Sequence, residues 1–189
     1  LNEGVSPESE TAFAAACLAP INDDVSTTLI IMIENSSDYS GLCYMWGDES
    51  AIAVVPMSTD PAPYDFRGLV HHEAGGHGFG KLGDEYIYHN EFIDNCGCTC
   101  CGHVFEFNLA KAKGWYDNLS LTGKMSEVPW SHLIFHEKYS EFVDVFEGGF
   151  MHNRGVYRSE QNSCMNNDIP YYSTISRETI VKRIKAIAG

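Results

Sequence analysis

The sequence predicts an α/β fold, and three features predict it: two short β-rich apolar runs, a capped helix carrying closely spaced histidines, and an amphipathic helix near the C-terminal end. At 189 residues the chain fits a single domain, residues 1–189. A chain of this size buries roughly two thirds of its unfolded surface and needs no staple to fold. Hydrophobic residues make up 44% and charged residues 20%, a balance that predicts a packed core rather than a disordered chain.

Taken in order, the run 28–34 (TLIIMIE) and the run 51–56 (AIAVVP) are apolar and rich in β-branched residues, and they are expected to be core strands of one sheet. The following loop, 57–64, contains Pro61 and Pro63, which end strand pairing. Asp65 then caps a helix carrying Phe66, Leu69, Val70, Ala74 and His77, which stops near Gly78 and Gly80. From Gly83 to Tyr139 the pattern is mixed: a cysteine-rich turn, a short helix around 105–113, and an irregular stretch through Pro129. In the last segment Ile180, Val181, Ile184 and Ile187 recur at helical spacing behind a cap at Ser176, which predicts a terminal helix packed on the domain. Lys182, Arg183 and Lys185 complement the dipole at its end.

Composition removes several function classes. The longest apolar stretch, Ala51 to Met57, is far short of the roughly 20 residues that span a bilayer, so no transmembrane segment is expected. A net charge of −14 repels phosphate and argues against nucleic-acid or acidic-membrane partners. Seven cysteines are many for a cytosolic chain of this length and favour an oxidising compartment. The chain begins with Leu1 and not Met, as expected of a processed chain or an excerpt of a longer protein.

The chemistry is concentrated between Val70 and Tyr86, which reads VHHEAGGHGFGKLGDEY. A zinc hydrolase needs two neutral imidazoles on one side of the ion, a third ligand, an open position for water, and a carboxylate that reaches that water. A helix bearing His-Glu-x-x-His supplies most of this, because residues i and i+4 share a face and the Glu beside the first His points at the bound water. Here His72 and His77 are i and i+5, about 140° apart on a regular α-helix. A π-bulge, with i→i+5 hydrogen bonding, brings the pair back onto one face, and Gly75 and Gly76 ease that distortion. His71 restores no regular spacing, since the residue four further on is Gly75. Glu73 is the expected general base.

These residues resemble the metzincin clan of zinc peptidases, whose pattern is His-Glu-x-x-His-x-x-Gly-x-x-His/Asp. Gly80 occupies the clan's glycine position, while the clan's third-ligand position is Gly83, which offers no side-chain donor, and Asp84 follows it. That offset, with Asp84, Glu85 and Tyr86 in a row, is similar to the bacterial immunoglobulin A metallopeptidase family, whose signature resembles HEFGHSFGGLADEY. The stretch Trp130 to Leu133 behind a Val-Pro and the block 146–165 (FEGGFMHNRGVYRSEQNSCM) resemble the same family, so the likeness runs from Asp65 to the C-terminus. This chain departs from the family by one extra glycine between Glu73 and His77.

The resemblance implies a metzincin-like fold: a small, mostly parallel twisted sheet, an active-site helix beneath it, and an irregular C-terminal half holding a Met-turn and a final helix. It implies one catalytic zinc held by His72, His77 and Asp84, with Glu85 as the fallback third ligand and Met165 as the Met-turn residue. It also implies a secreted, periplasmic or cell-surface bacterial endopeptidase, whose protein or peptide substrate binds extended along an edge strand. The alternatives are a catalytically silent, zinc-stabilised binding domain and a zinc amidase acting on a non-protein or cell-wall peptide.

Other residues carry weaker signals. Cys96, Cys98, Cys100 and Cys101 with His103 suit disulfides that pin a loop, a second metal site, or free thiols, with Cys164 a candidate partner and Cys17 and Cys43 a separate pair. His132, His136 and His152 are expected to be surface or packing residues. Tyr157, Tyr171 and Tyr172 flank the Met165 segment; in related clans a tyrosine there stabilises the oxyanion, and Tyr157 is the favoured one of the three.

Overall fold

The computed structural model describes residues 28–37, 40–61, 65–93 and 102–189, and the chain divides into two compact units after Phe79. Cys17 and the cysteines of 96–101 fall outside the described residues, and so do the disulfides expected of them.

In the first unit, β1 (Leu29–Glu34), β2 (Leu42–Met45) and β3 (Ala51–Pro56) form a sheet ordered β1-β3-β2. The two strands expected from the apolar runs pair directly and in parallel, from Leu29 opposite Ala51 to Glu34 opposite Pro56. The third strand, β2, runs antiparallel to β3. Its four residues are too few for a clear alternating pattern, so the sequence does not reveal it. Every residue of β3 is buried because it lies between two apolar layers. Ile52 and Val54 meet Ile30, Met32, Tyr44 and Trp46 on one face. Ala53 and Val55 meet Ala74, Leu29, Phe66, Leu69 and Val70 on the other. Burying a valine such as Val55 contributes about 1.5–3 kcal/mol, and here it fixes the helical segment to the sheet.

That segment begins at Asp65, whose Oδ1 accepts the Arg67 N–H at 3.1 Å and whose carboxylate also pairs with the Arg67 guanidinium at 2.6 Å. A single α-turn, α1 (Phe66–Leu69), passes into a π-helix over Val70–Phe79. The chain turns at Gly80, where the helix was expected to stop.

The second unit contains β4 (Ile87–Phe92), α2 (His103–Ala112), β5 (Leu119–Ser120), α3 (Ser131–Ile134), β6 (Phe146–Gly149), β7 (Met151–Arg158), α4 (Cys164–Asn167) and α5 (Thr174–Ala188). β7 organises the sheet: β4 pairs with it in parallel, β5 and β6 antiparallel. Ile93, Phe107, Leu119, Phe150 and Val156 form one core. A second surrounds Trp130 with Val128, Leu133, Ile134, Val143 and Ile175, and the Trp130 indole N–H donates to the Asp144 carbonyl at 2.8 Å.

The mixed α/β class stands, with two corrections. Both sheets are mixed and antiparallel pairings are the more numerous among the described residues, so the expected mostly parallel sheet is not what forms. Short connections such as that between β6 and β7 allow hairpin pairing, whereas each parallel pair needs a long crossover. The terminal helix is capped by Ser173 and not Ser176: Ser173 Oγ accepts the Ser176 N–H at 3.3 Å. It buries Thr174, Ile175, Ser176 and Thr179, while Val181, Ile184 and Ile187 are exposed. No helix among the described residues is long and apolar enough to cross a membrane.

Candidate metal centre

The extra residue between Glu73 and His77 is absorbed by the backbone. The π-helix spans ten residues, longer than the single bulge the spacing requires, and its i→i+5 periodicity stacks His72 over His77. Their Nε2 atoms stand 3.2 Å apart and their ring centroids 4.9 Å apart at 68°. With Zn–N bonds of roughly 2.0–2.1 Å, two nitrogens on one tetrahedral ion are separated by roughly 3.3 Å. Both rings are buried, whereas His71 is exposed.

Asp84 completes the group. One ligand atom each from His72, His77 and Asp84 lies within 4.8 Å of the other two. Two imidazole nitrogens and a carboxylate oxygen are a donor set suited to Zn²⁺ with one position open, so these residues fit a metal ion.

Why Asp84 and not its neighbours holds this place follows from the packing around it. Gly83 sits where the clan pattern puts its third ligand, but a Cβ there would lie 2.6 Å from Leu119 Cδ1 and 3.0 Å from Tyr116 Cγ. No side chain fits. Glu85 is wholly buried and occupied elsewhere: Asn118 Nδ2 donates to its Oε1 at 2.9 Å and Ser163 Oγ to its Oε2 at 2.5 Å. Burial outweighs those two bonds and pushes the Glu85 carboxyl up from 4.5 to about 7.

The Asp84 backbone is held on three sides. Asn118 Oδ1 accepts from Gly83 N at 2.9 Å and its Nδ2 donates to Gly83 O at 2.8 Å. Phe150 N donates to Asp84 O at 2.8 Å, from a turn in which Phe150 and Met151 both have positive φ. Glu85 N donates to Met165 O at 2.7 Å, so the methionine singled out in sequence is joined to the Asp84 segment through its main chain. The Met165 side chain itself is wholly buried.

Glu73 is 7% exposed and packs its carboxylate on Gly41, next to β2; a Cβ on Gly41 would stand 2.5 Å from Glu73 Oε1. Tyr157 carries its hydroxyl 3.4 Å from Glu147 Oε1, and Tyr171 donates to Glu160 Oε2 at 2.7 Å. Burial raises the Tyr172 hydroxyl well above its ordinary value. His132 pairs with Glu178 at 2.7 Å and His136 stacks on Tyr139, both surface arrangements as expected.

Sequence reasoning missed Gly41, Asn118 and Ser163. Gly41 and Asn118 belong to no motif, and each acts across a large sequence separation, so no local signal marks them; Ser163 lies unremarked within the 146–165 block, beside Cys164 and Met165. A cleft of about 630 Å³ opens along the chain from Asp84, walled by Tyr86, Ile87, Phe146, Glu147, Arg158 and Asn166, and includes none of the three ligands.

No protein-family model matches the chain, and no curated protein matches it.

Proposed function

We propose that the chain is a secreted, zinc-dependent endopeptidase of metzincin-like type. The observation that carries this reading is the convergence of His72, His77 and Asp84, with Glu73 directly following the first of them on the same helix. Zinc, when bound, polarises the scissile carbonyl and lowers the pKa of its water. His72 and His77 supply neutral imidazoles from a face of the π-helix buried against solvent, and Asp84 supplies the anionic donor. The Glu73 carboxylate accepts a proton from the attacking water and delivers it to the leaving amine. Packing against Gly41 limits its rotamers and keeps it oriented. The edge strand β2, beginning beside Gly41, suits an extended peptide added by main-chain hydrogen bonds.

Zinc content and casein cleavage, measured together on the wild type and on Glu73→Gln, test the proposal. The expected result is one zinc at this centre in both proteins and a loss of turnover of about 10²–10⁴-fold in the variant. Near-wild-type cleavage by the variant at equal zinc content would remove Glu73 from the mechanism, and zinc without turnover in the wild type would mark a silent binding domain.

A further inference from the structure

Arg158, the last residue of β7, is braced by main chain and not by a carboxylate. Its Nη1 donates to the Gly148 carbonyl at 2.6 Å and to the Glu147 carbonyl at 3.2 Å, both on β6. Gly148 allows that close approach: its φ is +109°, and a Cβ there would stand 3.0 Å from Nη1 and 2.5 Å from Ile87 Cδ1. The other edge of the guanidinium, Nε with Nη2, donates to no described residue, and Nε is buried without an acceptor. A buried donor in that state is costly, and one more acceptor would satisfy it.

The chain carries a net charge of −14, yet among the described residues no carboxylate forms an ion pair with Arg158. Glu147 is turned away from it. Phe146 and Arg158 are register partners, as are Glu147 and Tyr157, so strand alternation puts the Glu147 side chain on the opposite face. There Glu147 Oε1 accepts from Gly155 N at 3.0 Å and from the Tyr157 hydroxyl at 3.4 Å. Glu85 acts on Arg158 only through space, because its two oxygens are taken by Asn118 and Ser163.

Arg158 instead lines the cleft of about 630 Å³, together with Tyr86, Phe146, Gln161, Asn162 and Asn166. That volume lies within the roughly 300–1,000 Å³ typical of ligand sites. A second hollow of about 310 Å³, walled by Glu141 and Phe142, shares Phe146, Gln161 and Asn162 with the first, so the two form one groove within the second unit. Two neighbouring N–H groups on a planar fork match the two oxygens of a carboxylate. A dianion such as phosphate is disfavoured by Glu141 and by the acidity of the chain. The groove continues past Arg158 and offers room and aromatic walls for more than the carboxylate itself.

We propose that this groove binds a carboxylate-bearing peptide, with Arg158 taking the carboxylate through Nε and Nη2. The carboxylate comes either from an acidic side chain or from a chain end. The site goes beyond the peptidase reading and does not depend on the metal centre.

Calorimetric titration of the full chain tests it, in the Glu73→Gln background so that a peptide is not consumed. Three probes separate the sources: acetyl-Ala-Leu-Glu-Leu-Ala-amide, its Gln counterpart, and that Gln peptide with a free C-terminal carboxylate. At least one carboxylate peptide is expected to bind more than about tenfold tighter than the Gln amide, and which one does so identifies the source. Arg158→Gln should remove that preference. Gln161→Glu should remove it too, by supplying a competing carboxylate from an exposed position while melting stays within a few degrees of the parent. Equal binding of all three peptides, or no binding of any, would overturn the proposal, as would a preference that survives in both variants. Binding is read without turnover, so this result and the peptidase reading fail separately.

Discussion

Asn118 closes both backbone polar groups of Gly83, accepting its N–H at 2.9 Å and donating to its carbonyl at 2.8 Å. The same amide reaches Glu85 Oε1, so one buried side chain brackets Asp84 from both sides. Three hydrogen bonds of about 1 kcal/mol each, and the buried groups left unsatisfied without them, predict that Asn118→Ala destabilises the chain by about 2–4 kcal/mol. Loss of this support should also weaken zinc binding about 10–100-fold. Urea denaturation with competition against a chromophoric chelator measures both, and an unchanged zinc affinity would restrict Asn118 to a role in stability.

Gly41 has no side chain because Glu73 occupies the space. Gly41→Ala should displace the Glu73 carboxylate and lower turnover about 10–100-fold while zinc content stays the same. Full activity in this variant would mean that the position of Glu73 is not set by this contact.

Glu85 predicts a pH dependence of folding in the chelator-treated chain. The unfolded carboxyl loses its proton near 4.5, while the folded one keeps it to about 7, so the folded state binds more protons between those values. The contribution is fully present below about pH 4.5 and is lost as the pH rises to about 7, a change on the order of 3 kcal/mol. Glu85→Gln mimics the protonated acid once the Ser163 hydroxyl turns to accept, and it should flatten that slope. Parallel stability curves for the two proteins across the window would contradict the assignment.

The π-helix predicts the outcome of a deletion. Removing Gly75 leaves the two imidazoles four residues apart, a spacing that a regular α-helix places on one face. Zinc stoichiometry should therefore survive the deletion, with affinity reduced less than about tenfold. Loss of the metal would show that the wider helix has a function beyond accommodating one residue.

Much of the site could be read locally. His72, Glu73 and His77 lie within six residues, and helix periodicity alone states the geometric conflict and its remedy. β1, β3, the Asp65 cap and α2 were legible for the same reason, since each depends on neighbours a few residues away. The sheet pairings and the terminal helix's buried face were not: Val181, Ile184 and Ile187 have the spacing of a packed stripe, yet the helix buries its first turns instead.

By itself, then, the sequence determined which residues can bind a metal and that the helix between them must be widened, because backbone hydrogen bonding couples positions only four or five apart. Tertiary structure alone decided that Asp84 faces the histidines while Gly83 and Glu85 do not. That choice is made by Leu119 and Tyr116 crowding one neighbour and by Asn118 and Ser163 binding the other, contacts that close only when distant segments pack together.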